Sequence, residues 1–74
     1  MFRINEYRKI KSCKDVKSFF WLTKYLKLQD ALERIERDIN SSNVESMKKF
    51  YDSWSYQVVR GDSTDEVVYE KTII

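Results

Sequence analysis

A single cysteine and the complete absence of histidine constrain this chain most, because very small domains are usually stabilised by disulfides or by a structural metal ion. Among the 74 residues only Cys13 carries a thiol, so no intrachain disulfide can form. A zinc site would need carboxylates beside that one thiolate, and we expect neither a metal ion nor a cofactor. A domain this short buries only about 60–65% of the surface that its unfolded chain exposes. Stability therefore has to come from one apolar core, with or without a second copy, and residues 1–74 are predicted to form a single domain.

The charge of the chain is uneven, although its net value is only +2. Residues 1–27 hold eight basic and two acidic side chains, whereas residues 28–46 and 62–74 each carry a net charge of −3. The N-terminal third is therefore a candidate surface for an anionic partner.

Hydrophobic runs in this sequence are short. The longest covers residues 19–22, whereas a membrane span needs about 20 apolar residues and the core of a signal peptide about 7–15. We therefore expect a cytoplasmic protein that does not enter a membrane.

Residues 2–10 are predicted to form a short strand. Phe2, Ile4 and Ile10 all occupy even positions, which is the loose alternation of a half-buried strand. A single helical turn is the alternative interpretation of the same residues.

Residues 13–39 are predicted to be helical. Ser12 and Asp15 have the spacing of a helix start, and the segment has neither glycine nor proline while its apolar residues recur at helical steps. Those apolar residues mark two nearly opposite faces of a helix, one before and one after residues 27–30. We favour two helices with a break there over one long helix that is contacted on two sides.

The first of these faces defines a candidate binding surface. If Phe19, Leu22 and Leu26 face the core, two aromatic and three basic side chains share a sector of about 100° on the other side of the helix. They are Lys14, Lys17, Trp21, Lys24 and Tyr25. Such a surface suits a protein partner, or single-stranded nucleic acid whose bases stack on the rings. The alternative is that the hairpin described below, or a second subunit, covers the two rings.

The second face has the spacing of a helix–helix seam, with alternating steps of four and three residues. Its members are Leu28, Leu32, Ile35 and Ile39. Self-association through this seam makes a homodimer possible. Internal packing against the rest of the chain explains the same spacing.

The C-terminal half is predicted to contain a further helix and an antiparallel hairpin. Residues 42–45 form a capping box, which predicts a helix over about residues 43–53. From Trp54 onward the apolar residues alternate, residues 60–65 contain the only glycine and predict a turn, and residues 67–74 are rich in β-branched types. The expected class is therefore α+β, with an N-terminal strand, two to three helices and a C-terminal hairpin.

Helices followed by a hairpin, over residues 15–74, resemble the order of elements in winged-helix DNA-binding domains. The resemblance implies that the helix before the hairpin contacts DNA. In this chain that helix offers only Lys48 and Lys49, and the position of the wing tip is acidic. No residue motif of that family accompanies the order of elements.

Catalytic chemistry is poorly provided for in this sequence. Without histidine the commonest general base is missing, and one glycine cannot supply a phosphate-binding loop. We therefore expect no enzyme but a small protein-binding module, an adaptor or inhibitor that acts by binding a partner protein. A nucleic-acid-binding regulator that uses the basic, aromatic-containing face is the alternative.

Overall fold

A four-stranded antiparallel sheet and two helices form this protein, whose computed structural model describes residues 1–61 and 66–74. The elements are β1 (Phe2–Ile10), β2 (Lys17–Tyr25), α1 (Leu28–Ser41), α2 (Val44–Phe50), β3 (Tyr51–Arg60) and β4 (Glu66–Thr72). The strands lie in the order β2-β1-β3-β4, so β2 and β4 are the edge strands. The α+β class and the N-terminal strand agree with expectation.

One face of the sheet packs against α1 and forms the core. Ile4 of β1 lies opposite Val58 of β3, and residues that face each other in an antiparallel pair point to the same side of the sheet. With Trp54 they contact Ala31 and Ile35 of α1, and all five side chains are at most 1% exposed. The other face of the sheet, which we call the open face, has no helix against it among the described residues.

The prediction of helix is wrong for residues 13–26, which contain no helix; residues 17–25 form the edge strand β2 paired with β1. The segment contains two phenylalanines, a tryptophan, a threonine and a tyrosine, all of them residue types that favour strands. The absence of glycine and proline permitted a helix there without favouring one. With a strand in this position, the order of elements also departs from that of winged-helix domains.

The helices begin close to the predicted places. α1 starts at Leu28, inside the predicted break, although a strand and not a helix precedes it. The N-cap of α2 is Asn43, whose side-chain oxygen accepts a hydrogen bond from the backbone N–H of Ser46 at 3.1 Å. α2 ends at Phe50, earlier than expected, because β3 begins at the next residue and pairs with β1.

Strands β3 and β4 pair antiparallel, from Ser55 opposite Thr72 to Arg60 opposite Glu66. The turn predicted between them lies mostly in residues 62–65, outside the described residues. Gly61 has a φ of 88°, a value that few other residue types adopt without strain.

The seam predicted for self-association contributes to the core of the same molecule. Ile35 is 1% exposed, while Leu28, Leu32 and Ile39 are partly buried and pack against the core cluster. This is the internal packing that explains the same spacing. Self-association through the seam stays a prediction, and only the exposed parts of the three partly buried side chains are accessible for it.

A buried carboxylate lies among the aromatic side chains of the core. Glu6 is 5% exposed and accepts hydrogen bonds from the indole N–H of Trp54 at 2.7 Å and from Arg8 Nε at 2.7 Å. A longer bond of 3.4 Å comes from the indole N–H of Trp21. A buried charge is tolerated when it is paired and hydrogen-bonded in this way. The carboxylate thereby joins β1 to both of its neighbouring strands.

The guanidinium of Arg8 is enclosed by aromatic rings as well as paired with Glu6. Its central carbon lies 5.8, 5.5 and 5.4 Å from the ring centroids of Phe19, Tyr51 and Trp54. These distances are in the range of cation–π attraction. Arg8 therefore lies at the margin of the core, where its charge is paired with Glu6 and in contact with three rings.

Tyr56 is expected to make the fold less stable at alkaline pH. Burial of its ring raises the pKa of the phenol well above the ordinary value of 10.0, and the hydrogen bond that it donates to Asp38 raises it further. Because the folded chain holds this proton more tightly, the stabilisation is complete below pH 10 and is lost as the pH rises above it. The loss amounts to about 1.4 kcal/mol per pH unit at most. Urea unfolding at several alkaline pH values measures how steeply the free energy of unfolding falls with pH. An equally steep fall in Tyr56→Phe would contradict the attribution of this loss to Tyr56.

Candidate binding surface on strand β2

Exposed apolar side chains are concentrated on and beside the edge strand β2. Five of the eight large apolar side chains that are exposed in the described part of the chain lie between residues 16 and 26. These five, which we call the β2 patch, are Val16, Phe19, Phe20, Leu22 and Leu26. Single exposed apolar residues are ordinary, whereas several on one edge strand are typical of an interaction site or an aggregation hazard.

The patch extends over both faces of the sheet. Phe19 lies opposite Glu6 of β1 and is therefore on the side of the helices, where it contacts Arg8. Phe20 lies opposite Asn5 and is on the open face, where 71% of its side chain is exposed. A partner that approaches the edge of the sheet can therefore contact apolar groups on both sides of β2.

A bulge in β2 places Leu22 in solvent. The pairing with β1 steps from Asn5–Phe20 to Arg3–Lys24, so three residues of β2 lie opposite Ile4 alone. Bulges of this kind redirect side chains locally. The side chain of Leu22 is 95% exposed and has almost no contact with the rest of the molecule.

The five residues of the predicted binding surface do not share one face. Lys14 lies in the connection between β1 and β2, while Lys17, Trp21 and Tyr25 occupy the helix side of β2 and Lys24 the open side. The helical geometry that grouped them is wrong, because side chains alternate at 180° in a strand and not at 100°. The structure places these residues along one edge of the sheet, but their side chains are distributed over its two faces.

The two predicted aromatic anchors are covered by the protein's own core. Trp21 is half-buried, its ring contacts that of Tyr56 edge to face at 6.2 Å, and Arg34 of α1 lies over it at 5.4 Å. Tyr25 also packs against the core cluster. By contrast Phe19, Leu22 and Leu26, which the helical interpretation placed inside, are exposed.

The sequence reasoning missed all five members of the β2 patch: it placed Phe19, Leu22 and Leu26 inside and assigned Phe20 and Val16 to neither face. The signal that identifies Phe20 is an alternation of period two, in which it shares one side with Leu22 while Phe19 and Trp21 share the other. Val16 precedes the strand and carries no such signal.

Lysines surround the β2 patch. Residues 11–27 contain five lysines and one aspartate. Those nearest the patch are exposed and are Lys14, Lys17, Lys24 and Lys27. The potential along this edge of the sheet is therefore positive, which favours an anionic partner.

Residues 1–61 and 66–74 bring together no group of three or more cysteine or acidic side chains that could hold a metal ion. Neither helix of this part of the chain is long and apolar enough to cross a membrane.

A scan against protein-family models and searches of curated proteins and of solved structures found nothing that matches this chain.

Proposed function

We propose that this protein is a small non-enzymatic module that binds a partner protein through the β2 patch and acts as an adaptor or inhibitor. The observation that carries the proposal is the exposure of Leu22 and Phe20, 95% and 71%, on a strand at the edge of the sheet. Full burial of a leucine or phenylalanine side chain is worth about 1.5–3 kcal/mol. Two or three such side chains can therefore supply the anchor of an interface, after the cost of association is subtracted.

Folding does not account for these side chains. Leu22 and Phe20 contribute little to the core, which is formed by residues of β1, β3 and α1 on the other side of the sheet. An exposed apolar group on an edge strand also favours aggregation, so a polar residue would serve the isolated fold better. A binding role explains why apolar residues occupy these positions.

The double variant Phe20→Ser, Leu22→Ser tests the proposed function. Both side chains are exposed, so the free energy of unfolding should change by no more than about 0.5–1 kcal/mol. Loss of the apolar anchors should lower partner affinity by at least about 2 kcal/mol, or thirtyfold. The measurement compares the proteins that each immobilised variant captures from lysate and then the affinity of the purified partner.

Val67→Ser is the matched control for this experiment. Val67 is an exposed apolar residue on β4, the opposite edge of the sheet, so its replacement changes surface polarity without touching β2. The control should capture the same partner as the wild type. Equal capture by the wild type and the double variant would contradict the assignment of the β2 patch.

Single-stranded nucleic acid is the second candidate, and the composition of the open face supports it. Phe20 lies there, and the paired residues Arg3 and Lys24 are on the same face beyond the bulge; an exposed ring near cations is what a stacked base and its phosphates require. Nuclease treatment of the lysate and a salt titration separate the candidates. Phosphate binding loses orders of magnitude in affinity as salt rises, whereas an apolar protein interface does not.

A cytoplasmic location belongs to the same proposal. Cys13 is exposed and unpaired, and a thiol of this kind persists most readily in a reducing compartment.

A further inference from the structure

We propose that the partner contributes an extended acidic segment, which adds to the sheet as a fifth strand along β2. This inference rests on the proposed protein-binding function and specifies the chemistry of the partner. Three features of β2 support it: its position at the edge, its two-sided apolar surface and its charge.

The position of β2 supplies the backbone groups that strand addition uses. In the strand order β2-β1-β3-β4, β2 has a neighbour on one side only within the described part of the chain. Residues 17–20 pair with β1 without interruption, so this part of the edge is regular up to the bulge. The outward N–H and C=O groups of such an edge bind an extended chain through main-chain hydrogen bonds.

The apolar surface fits the alternating side chains of an added strand. Phe19 on the helix side and Phe20 on the open face follow each other, so neighbouring residues of the added strand would contact one ring each. Leu22 in the bulge and Leu26 directly after the strand continue this surface. A helix or a flat protein surface would reach only one of the two sides.

The charge of this edge selects an acidic partner over a second β2 strand. Residues 16–29 contain three lysines and no acidic residue. Pairing β2 with the β2 of another copy would double this positive charge at the new interface, whereas glutamate or aspartate in the added strand would neutralise it. Strand β4 carries Glu66 and Glu70, so the β4 of a second copy is the competing occupant that an experiment has to exclude.

Selection from a random library of displayed nine-residue peptides, the length of β2, tests the chemistry of the partner. We expect the selected peptides to alternate aspartate or glutamate with β-branched or aromatic residues. A synthetic selected peptide should bind about tenfold more weakly to Lys14→Glu, Lys17→Glu than to the wild type. Lys48→Glu, Lys49→Glu is the matched control on α2 and should bind like the wild type.

Hydrogen exchange tests the geometry with the same peptide. Amides of residues 17–20 that point away from β1 should exchange at least about tenfold more slowly in the complex. Selected peptides without acidic enrichment, no selected binder, or a complex with unchanged exchange at these residues would each overturn strand addition. Sedimentation of the wild type as oligomers that Phe20→Ser, Leu22→Ser dissociates would overturn it in favour of a second copy.

The proposed function and this inference can fail separately. A lysate partner that depends on Phe20 and Leu22 but leaves β2 exchange unchanged upholds the protein-binding function and overturns strand addition. Equal capture by wild type and double variant overturns the proposed function whatever the peptides show.

Discussion

Replacing Glu6 by alanine is expected to lower the free energy of unfolding by about 3 kcal/mol, the lower end of the loss that follows when one partner of a buried ion pair is removed, because the side chain of Arg8 is 25% exposed. The variant loses the acceptor for the Trp54 indole and leaves the Arg8 guanidinium among aromatic rings without its carboxylate. Small domains are stable by about 5–15 kcal/mol, so a large part of the margin disappears. Urea unfolding followed by circular dichroism measures the loss.

Glu36→Ala is the control for this prediction. Glu36 pairs with Lys71 on the surface, where an ion pair is worth about 1 kcal/mol or less. If Glu6→Ala is unfolded in buffer, Glu6→Leu with Arg8→Met tests the same point, because removing both charges together should recover part of the stability. A loss in Glu6→Ala no larger than in Glu36→Ala would contradict the role of the buried carboxylate.

Trp21→Ala and Leu22→Ala are expected to differ by about 3 kcal/mol in the free energy of unfolding, although they are neighbours in the chain. Trp21 packs against Tyr56 and donates to Glu6, and truncation of a packed tryptophan costs about 3–5 kcal/mol. The side chain of Leu22 is 95% exposed, so its truncation should cost less than about 0.5 kcal/mol. Urea unfolding of the two single variants makes the comparison.

The same pair of variants tests the strand itself. A helix over residues 17–25 with Leu22 inside would reverse the order of the two losses, because Leu22 would then be buried and Trp21 exposed. Greater destabilisation by Leu22→Ala than by Trp21→Ala would therefore contradict β2. A large loss of unfolding free energy in Trp21→Ala also indicates that Trp21 is not part of the binding surface, because its main contribution is then to the stability of the fold.

Several elements were predictable because their signals are local. The alternation that starts at Trp54 belongs to a strand whose two faces have different environments, and its inward residues are buried. The apolar steps from Leu28 to Ile39 belong to a helix that packs one face on the sheet. The start of α2 was predicted to within a residue, since side chains near residue 43 cap the helix directly.

Residues 14–25 were correctly singled out as basic and aromatic, and their lysines are exposed as predicted, yet which of their apolar and aromatic side chains are accessible was predicted in reverse. The composition alone determined that this edge of the protein is positive and rich in rings. Whether a ring points inward depends on whether the segment is a helix, with 3.6 residues per turn, or a strand, in which side chains alternate. In residues 17–25 either structure would group apolar residues on one face, so the sequence pattern does not distinguish the two.

The amino-acid sequence by itself determined the α+β class, a single core without disulfide staples, the positive N-terminal third and the two helices after residue 27. Only the tertiary structure decided that residues 17–25 are a strand, because β1 supplies the backbone partners and Glu6 the acceptor for Trp21. Both contacts join residues that are distant in the chain, and local propensity contains no information about them. The exposure of Phe20 and Leu22 follows from that pairing, since it places Phe20 on the open face of the sheet and Leu22 in the bulge opposite Ile4.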